Sequence, residues 1–145
     1  MRGLLGELLS SQTEITVVDM EAGLEHLSRS GGTLRYVDHI FAVVEPYAKA
    51  IETARRTVHL ALDLGITNVS LLANKVREPA DLNLLHSMMA ETGVELIGAI
   101  PYDDAARLAD REGHPPIDVA PDSALVRAVA DLAHRLETVW ATAAV

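Results

Sequence analysis

The chain has no cysteine, which excludes disulfides, thiolate metal sites and cysteine nucleophiles together. Aromatic residues make up only 3% of it, so any core must be built from Leu, Val, Ile and Ala. That supply suits a parallel sheet buried under helices, whose strands read as short aliphatic runs. Basic residues are outnumbered, 12 against 21 acidic ones, and the net charge of −9 disfavours nucleic acid and anionic lipid as partners. No apolar run approaches the roughly 18 residues of a membrane span. The first residues read as an amphipathic helix (Leu4, Leu5, Leu8, Leu9, interrupted by Glu7) rather than a signal peptide, so a cytoplasmic protein is expected.

What is there is one domain's worth of chain: 145 residues, 49% hydrophobic and 23% charged, the balance of a globular protein. A single domain over 1–145 is expected. Four aliphatic runs, 15–18, 39–44, 68–73 and 94–100, are rich in β-branched residues. They end at Asp19, Glu45-Pro46, Asn74 and Pro101. Residues 48–64 carry apolar side chains at helical spacing and stop at Gly65; Pro79 opens a second helix that Gly93 closes. A short helix over 103–112 and a longer one capped by Asp122 or Ser123 follow, the latter predicted to bury Leu125, Val129, Leu132, Leu136 and Trp140. Residues 113–121, with His114-Pro115-Pro116, are predicted to form an extended loop. The long connection 20–37 is predicted to be functional or mobile.

Alternating strands and helices predict an α/β fold: a parallel sheet of about four strands in a three-layer domain. Ligands of such sheets bind beyond the carboxyl ends of the strands. The chemistry is therefore sought at Asp19–Gly23, Glu45-Pro46, Asn74-Lys75 and Pro101–Asp104.

Those strand ends, in that order, resemble the MinD/ParA-type (SIMIBI) P-loop ATPases, and within them the CooC-like branch of carbon monoxide dehydrogenase maturation. The stretch Val17-Val18-Asp19-Met20-Glu21-Ala22-Gly23-Leu24-Glu25-His26 is similar to that branch's acidic strand end followed by Glu-Ala-Gly and Glu-His. Asn74-Lys75-Val76 resembles its base-recognition element, and Gly98-Ala99-Ile100-Pro101-Tyr102-Asp103 its Ile-Pro-x-Asp loop.

The resemblance implies ATP or ADP with Mg2+ as cofactors. It implies that Asp19 holds the magnesium shell through water and that the Gly23 N–H approaches the γ-phosphate. Asn74, beside Lys75, would read the adenine edge. Pro101, Tyr102 and Asp103 would line the base pocket, and the loop from Gly23 to about Arg35 would switch between nucleotide states. Plainer readings stand beside these. Asp19 can cap a turn, Asn74 can belong to an ordinary loop, and Asp103 can cap the helix that follows it. Glu21, Glu25 and His26 could gather a metal, though their spacing matches no recognised ligand set.

The departure from the family is equally specific. No G-x-x-x-x-G-K-[ST] occurs in the sequence. The backbone cradle, the phosphate-binding lysine and the magnesium-ligating hydroxyl of that motif are therefore missing. The expectation is a nucleotide-binding domain lacking its phosphate-loop portion, through truncation, a split gene or decay, with weak or absent ATP hydrolysis alone. Its partners would be a second copy, a polypeptide supplying the missing portion, or a metalloenzyme client. The rival expectation is a non-catalytic interaction module that assembles through an open sheet edge. Receiver-like and flavodoxin-like readings fail at the strand ends: the third run ends in Asn74 rather than Asp, and Met20-Glu21-Ala22 is no phosphate loop.

Overall fold

The computed structural model describes residues 16–20 and 37–143, with side chains described as far as 137. Three strands, β1 (Ile40–Val44), β2 (Val69–Val76) and β3 (Leu96–Pro101), form a parallel sheet in the order β1-β2-β3. Ile40 pairs with Val69 and Val44 with Ala73, while β3 joins through Leu71–Leu96 and Leu72–Gly98. As the middle strand, β2 is buried without a break from Val69 to Ala73. That is why it reads as an aliphatic run instead of an alternating one.

The first crossover is helix α1 (Ala48–Asp63), which buries Ile51, Ala54, Val58 and Ala61, three and four residues apart. Gly65, at φ 82°, takes the left-handed conformation that stops it. Helix α2 (Pro79–Met89) starts with a proline at its first turn, where a missing N–H costs nothing, and buries Leu85 and Met89. A short 3-10 turn, Ala90–Thr92, continues it to Gly93 at φ 66°. These buried side chains meet Ala42, Val44, Val69, Leu71 and Ala73 from one face of the sheet in a single core.

Helices α3 (Asp104–Glu112), α4 (Pro116–Val119) and α5 (Ala124–Ala143) follow β3. α5 packs mainly on β3, where a Cβ on Gly98 would come within 3.7 Å of Leu132. Leu72 alternates away from Leu71 and Ala73, so α5 covers the sheet face opposite α1 and α2.

Four expectations change. Residues 16–20 carry no strand, and Val17 is 86% exposed. The sheet has three strands among the described residues. Second, β2 does not end at Ala73 but runs through Asn74 and Lys75 to Val76, which pairs with Pro101. Third, residues 113–121 are not all extended, because Pro116 can open the single turn of α4 without an N–H. Fourth, Val129 is 44% exposed instead of buried, since the contact of α5 with the sheet centres on Leu132 and Gly98.

Candidate functional site

The carboxyl ends of the three strands lie side by side because the sheet is parallel. Since Val44 pairs with Ala73, the next residues, Glu45 and Asn74, follow at the same end of the sheet. There β2 departs from regular geometry. The register shifts between Ala73 and Val76, and Lys75 has φ 55°, the only positive value among the described non-glycine residues. Left-handed backbone costs an L-residue roughly 1–2 kcal/mol, so the surroundings must hold it. Two contacts do so: the Lys75 N–H donates to Asn74 Oδ1 at 2.9 Å, and Lys75 Nζ donates to Glu45 Oε1 at 2.9 Å. The Glu45 carboxylate, first among the causes, holds the Lys75 ammonium above its ordinary pKa.

On the other side, the Tyr102 N–H donates to the Val76 carbonyl at 2.8 Å, carrying the β2–β3 connection past Pro101. The Arg77 guanidinium lies 3.6 Å above the centre of the Tyr102 ring. Asp103 accepts from the N–H of Ala105 at 2.8 Å and from that of Leu125 at 3.2 Å. These backbone donors, Leu125 first, lower the Asp103 pKa.

Asn74, Lys75, Pro101, Tyr102 and Asp103 thus come together at one end of β2 and β3. Asp19 is exposed on the segment 16–20, and no hydrogen bond or ion pair joins it to those five among the described residues. Gly23, the switch loop, Glu21, Glu25 and His26 lie outside the described residues. Among the described residues no group of three or more His, Asp or Glu side chains could hold a metal. One carboxylate, Asp19, does not make a magnesium site without phosphate oxygens and a hydroxyl, so the donor set here does not fit the ion by itself.

Two contacts of this end escaped sequence reasoning. Glu45 was visible as a strand terminus, but its partner is 30 residues away and only the β1–β2 register joins them. Arg77 follows the base-recognition element and has no local signal for its place on Tyr102.

The chain is 36% identical over 136 residues to the carbon monoxide dehydrogenase accessory protein CooC of Rhodospirillum rubrum, a match covering 94% of this chain and 48% of that protein. The chain is a homologue of the CooC and MinD/ParA-type proteins. An uncharacterised ATP-binding protein of Methanocaldococcus jannaschii shares 38% identity over 115 residues, 79% of this chain and 44% of the relative.

Among solved structures, the septum site-determining protein MinD of Pyrococcus horikoshii, complexed with Mg-ADP, superposes with a TM-score of 0.72 at 18% identity. That superposition covers 95% of this chain and 56% of the other. The MinD cell division protein of Aquifex aeolicus gives 0.62 at 22% identity, over 74% of this chain and 47% of its own. The fold is thus that of MinD, an α/β parallel sheet flanked by helices. No protein-family model matches the sequence. This MinD/ParA homologue spans about half the length of the curated relatives it matches. No helix among its described residues is long and apolar enough to cross a membrane.

Proposed function

We propose that this chain is the base-binding side of a CooC-like ATP-binding domain serving metal-cofactor maturation in the cytoplasm, and that it hydrolyses ATP weakly or not at all by itself. The observation that carries this reading is the gathering of Asn74, Pro101 and Tyr102 at the carboxyl ends of β2 and β3, where sheets of this kind bind their ligands. The 36% identity to CooC supports it. Asp103 stands at the same place but spends its carboxylate on two backbone donors, so its contribution is to shape the pocket wall.

The phosphate cradle, its lysine and its magnesium-ligating hydroxyl have no counterpart motif within these 145 residues. They would come from outside them, through a polypeptide that supplies the missing portion. Asp19 and Gly23 would meet the magnesium and γ-phosphate only in that assembly. The client would be a metalloenzyme of the kind named for the Rhodospirillum relative.

Calorimetric titration with ADP and ATP, with and without Mg2+, tests the reading. Weak binding that ignores Mg2+, without turnover, is expected. Turnover, or saturable Mg2+-dependent binding abolished by Asp19→Ala, would show that this chain carries its own phosphate site and end the proposal of inactivity. No binding by a cooperatively melting protein would end the nucleotide reading.

A second reading is an interaction module. It is favoured by the outer edge of β1, which pairs with no described strand, and by Val43 on that strand, 56% exposed. Light scattering on the purified chain tests this: a strict monomer at all concentrations counts against assembly through the edge by a second copy.

A further inference from the structure

Asn74 is the one residue of the base site with both a donor and an acceptor on a planar group, and its usefulness depends on which way the amide faces. A backbone N–H can approach only the carbonyl end of a carboxamide. The Lys75 N–H at 2.9 Å from Oδ1 therefore decides the orientation. It leaves one lone pair of Oδ1 and the Nδ2 hydrogens to offer. That pair of groups matches the N6 amino donor and N7 acceptor of adenine; guanine presents two acceptors, O6 and N7, on the same edge.

This contact sits at the bulge between Ala73 and Val76, where the Lys75 backbone is left-handed. The bulge is held downstream by the Tyr102 N–H on the Val76 carbonyl. Across the strand ends it is held by Glu45 on the Lys75 ammonium at 2.9 Å.

We infer that Glu45 is a positioning residue: through Lys75 it fixes the direction of the Asn74 carboxamide, and so the preference for adenine over guanine. The inference rests on the nucleotide reading above and assigns a role to a residue that reading does not use. Bulk stability is a poor gauge of it. The side chains of Lys75 and Glu45 are 54% and 29% exposed, and surface ion pairs of this kind contribute little to folding. The loss should appear in selectivity instead.

The test uses the full 145-residue chain, 15N-labelled, as wild type, Glu45→Gln, and the swapped pair Glu45→Lys with Lys75→Glu. Adenosine and guanosine are titrated separately. The expected result for Glu45→Gln is a shift of the Asn74 side-chain amide resonances. The adenosine-over-guanosine preference should also fall about 3- to 10-fold, the scale of one hydrogen bond, with Tm within roughly 2 °C of wild type. The swapped pair should recover most of the preference.

Unmoved Asn74 resonances and an unchanged preference, in a wild type that does prefer adenosine, overturn the inference while leaving the nucleotide reading intact. Equal weakening of both nucleosides also overturns it, since that is what a purely structural role would give. A wild type that binds neither nucleoside overturns the nucleotide reading, and the role of Glu45 falls with it.

Discussion

Asp103 accepts a hydrogen bond from the N–H of Leu125, 22 residues further along, at 3.2 Å, while the same carboxylate caps α3 through Ala105. One side chain thus closes the start of α3 and pins the start of α5, fixing α5 relative to the end of β3.

Asp103 therefore confers an acid-sensitive contribution to stability. Its folded pKa lies below the ordinary value, so the stability is complete above the ordinary Asp value near ~4 and is lost as pH falls through the lower folded value. Asp103→Ala should lower Tm by roughly 2–6 °C at neutral pH, and the gap from wild type should narrow progressively below pH ~4. Melting curves across pH 2–7 (about this range suffices) check it; a gap independent of pH contradicts the cap.

His39 provides a second test of the same sign, near neutrality. Its ring stacks on Phe41 with centroids 4.5 Å apart and shares a 2.9 Å hydrogen bond between Nε2 and Ser70 Oγ. Burial lowers its pKa, so the unfolded chain takes up protons first as pH falls. Stability should decline as pH drops from the ordinary histidine value of about 6.5 toward the lower folded one. His39→Gln should flatten the urea-midpoint profile in that window, and an unchanged slope rules out His39 as its source.

A pocket of about 50 Å³, partly open to solvent, lies beside α2 among Val44, Leu71, Leu85, His86, Met89, Ala90, Val94 and Leu96. Leu85 is 2% exposed, and Leu85→Ala should cost about 2–5 kcal/mol by enlarging that void. Val44→Ile adds one methylene toward it and should stabilise by up to ~0.8 kcal/mol. Urea unfolding measures both, and a destabilised Val44→Ile variant would mean the cavity cannot accept the group.

Gly98 sets how closely α5 approaches the sheet. A Cβ there would sit 3.3 Å from Leu72 Cδ1, 3.4 Å from Arg135 Nη2 and 3.7 Å from Leu132 Cδ1. The Arg135 tip can swing aside but Leu72 is buried, so Gly98→Ala should cost less than ~1 kcal/mol and Gly98→Val about 1–3 kcal/mol. If Gly98→Val unfolds at the wild-type urea concentration, α5 is less tightly seated than this contact indicates.

Much of the framework was readable from local pattern. The apolar spacing Ile51, Ala54, Val58, Ala61 announces α1, and Pro79 and Gly93 bracket the helical stretch between β2 and β3. The aliphatic runs 39–44 and 94–100 place β1 and β3 within a residue or two. The extent of β2 was not readable, because Asn and Lys are poor strand formers and only the pairing of Val76 with Pro101 keeps the ladder going beyond them. Nor was the exposure of Val129, since helical spacing says which side chains share a face but not how much sheet that face meets.

What the sequence determined by itself is the fold class, its family and the order of the strand-end residues, for these rest on short-range periodicity and on motifs read in line. It also determined that no phosphate-loop motif is present. Only the tertiary structure decided the contacts between strand ends: Glu45 on Lys75, Arg77 on Tyr102, and Asp103 on Leu125. All three span more than 20 residues and depend on parallel register and helix docking. Those are set by the burial of whole faces and leave no mark in any local stretch of chain.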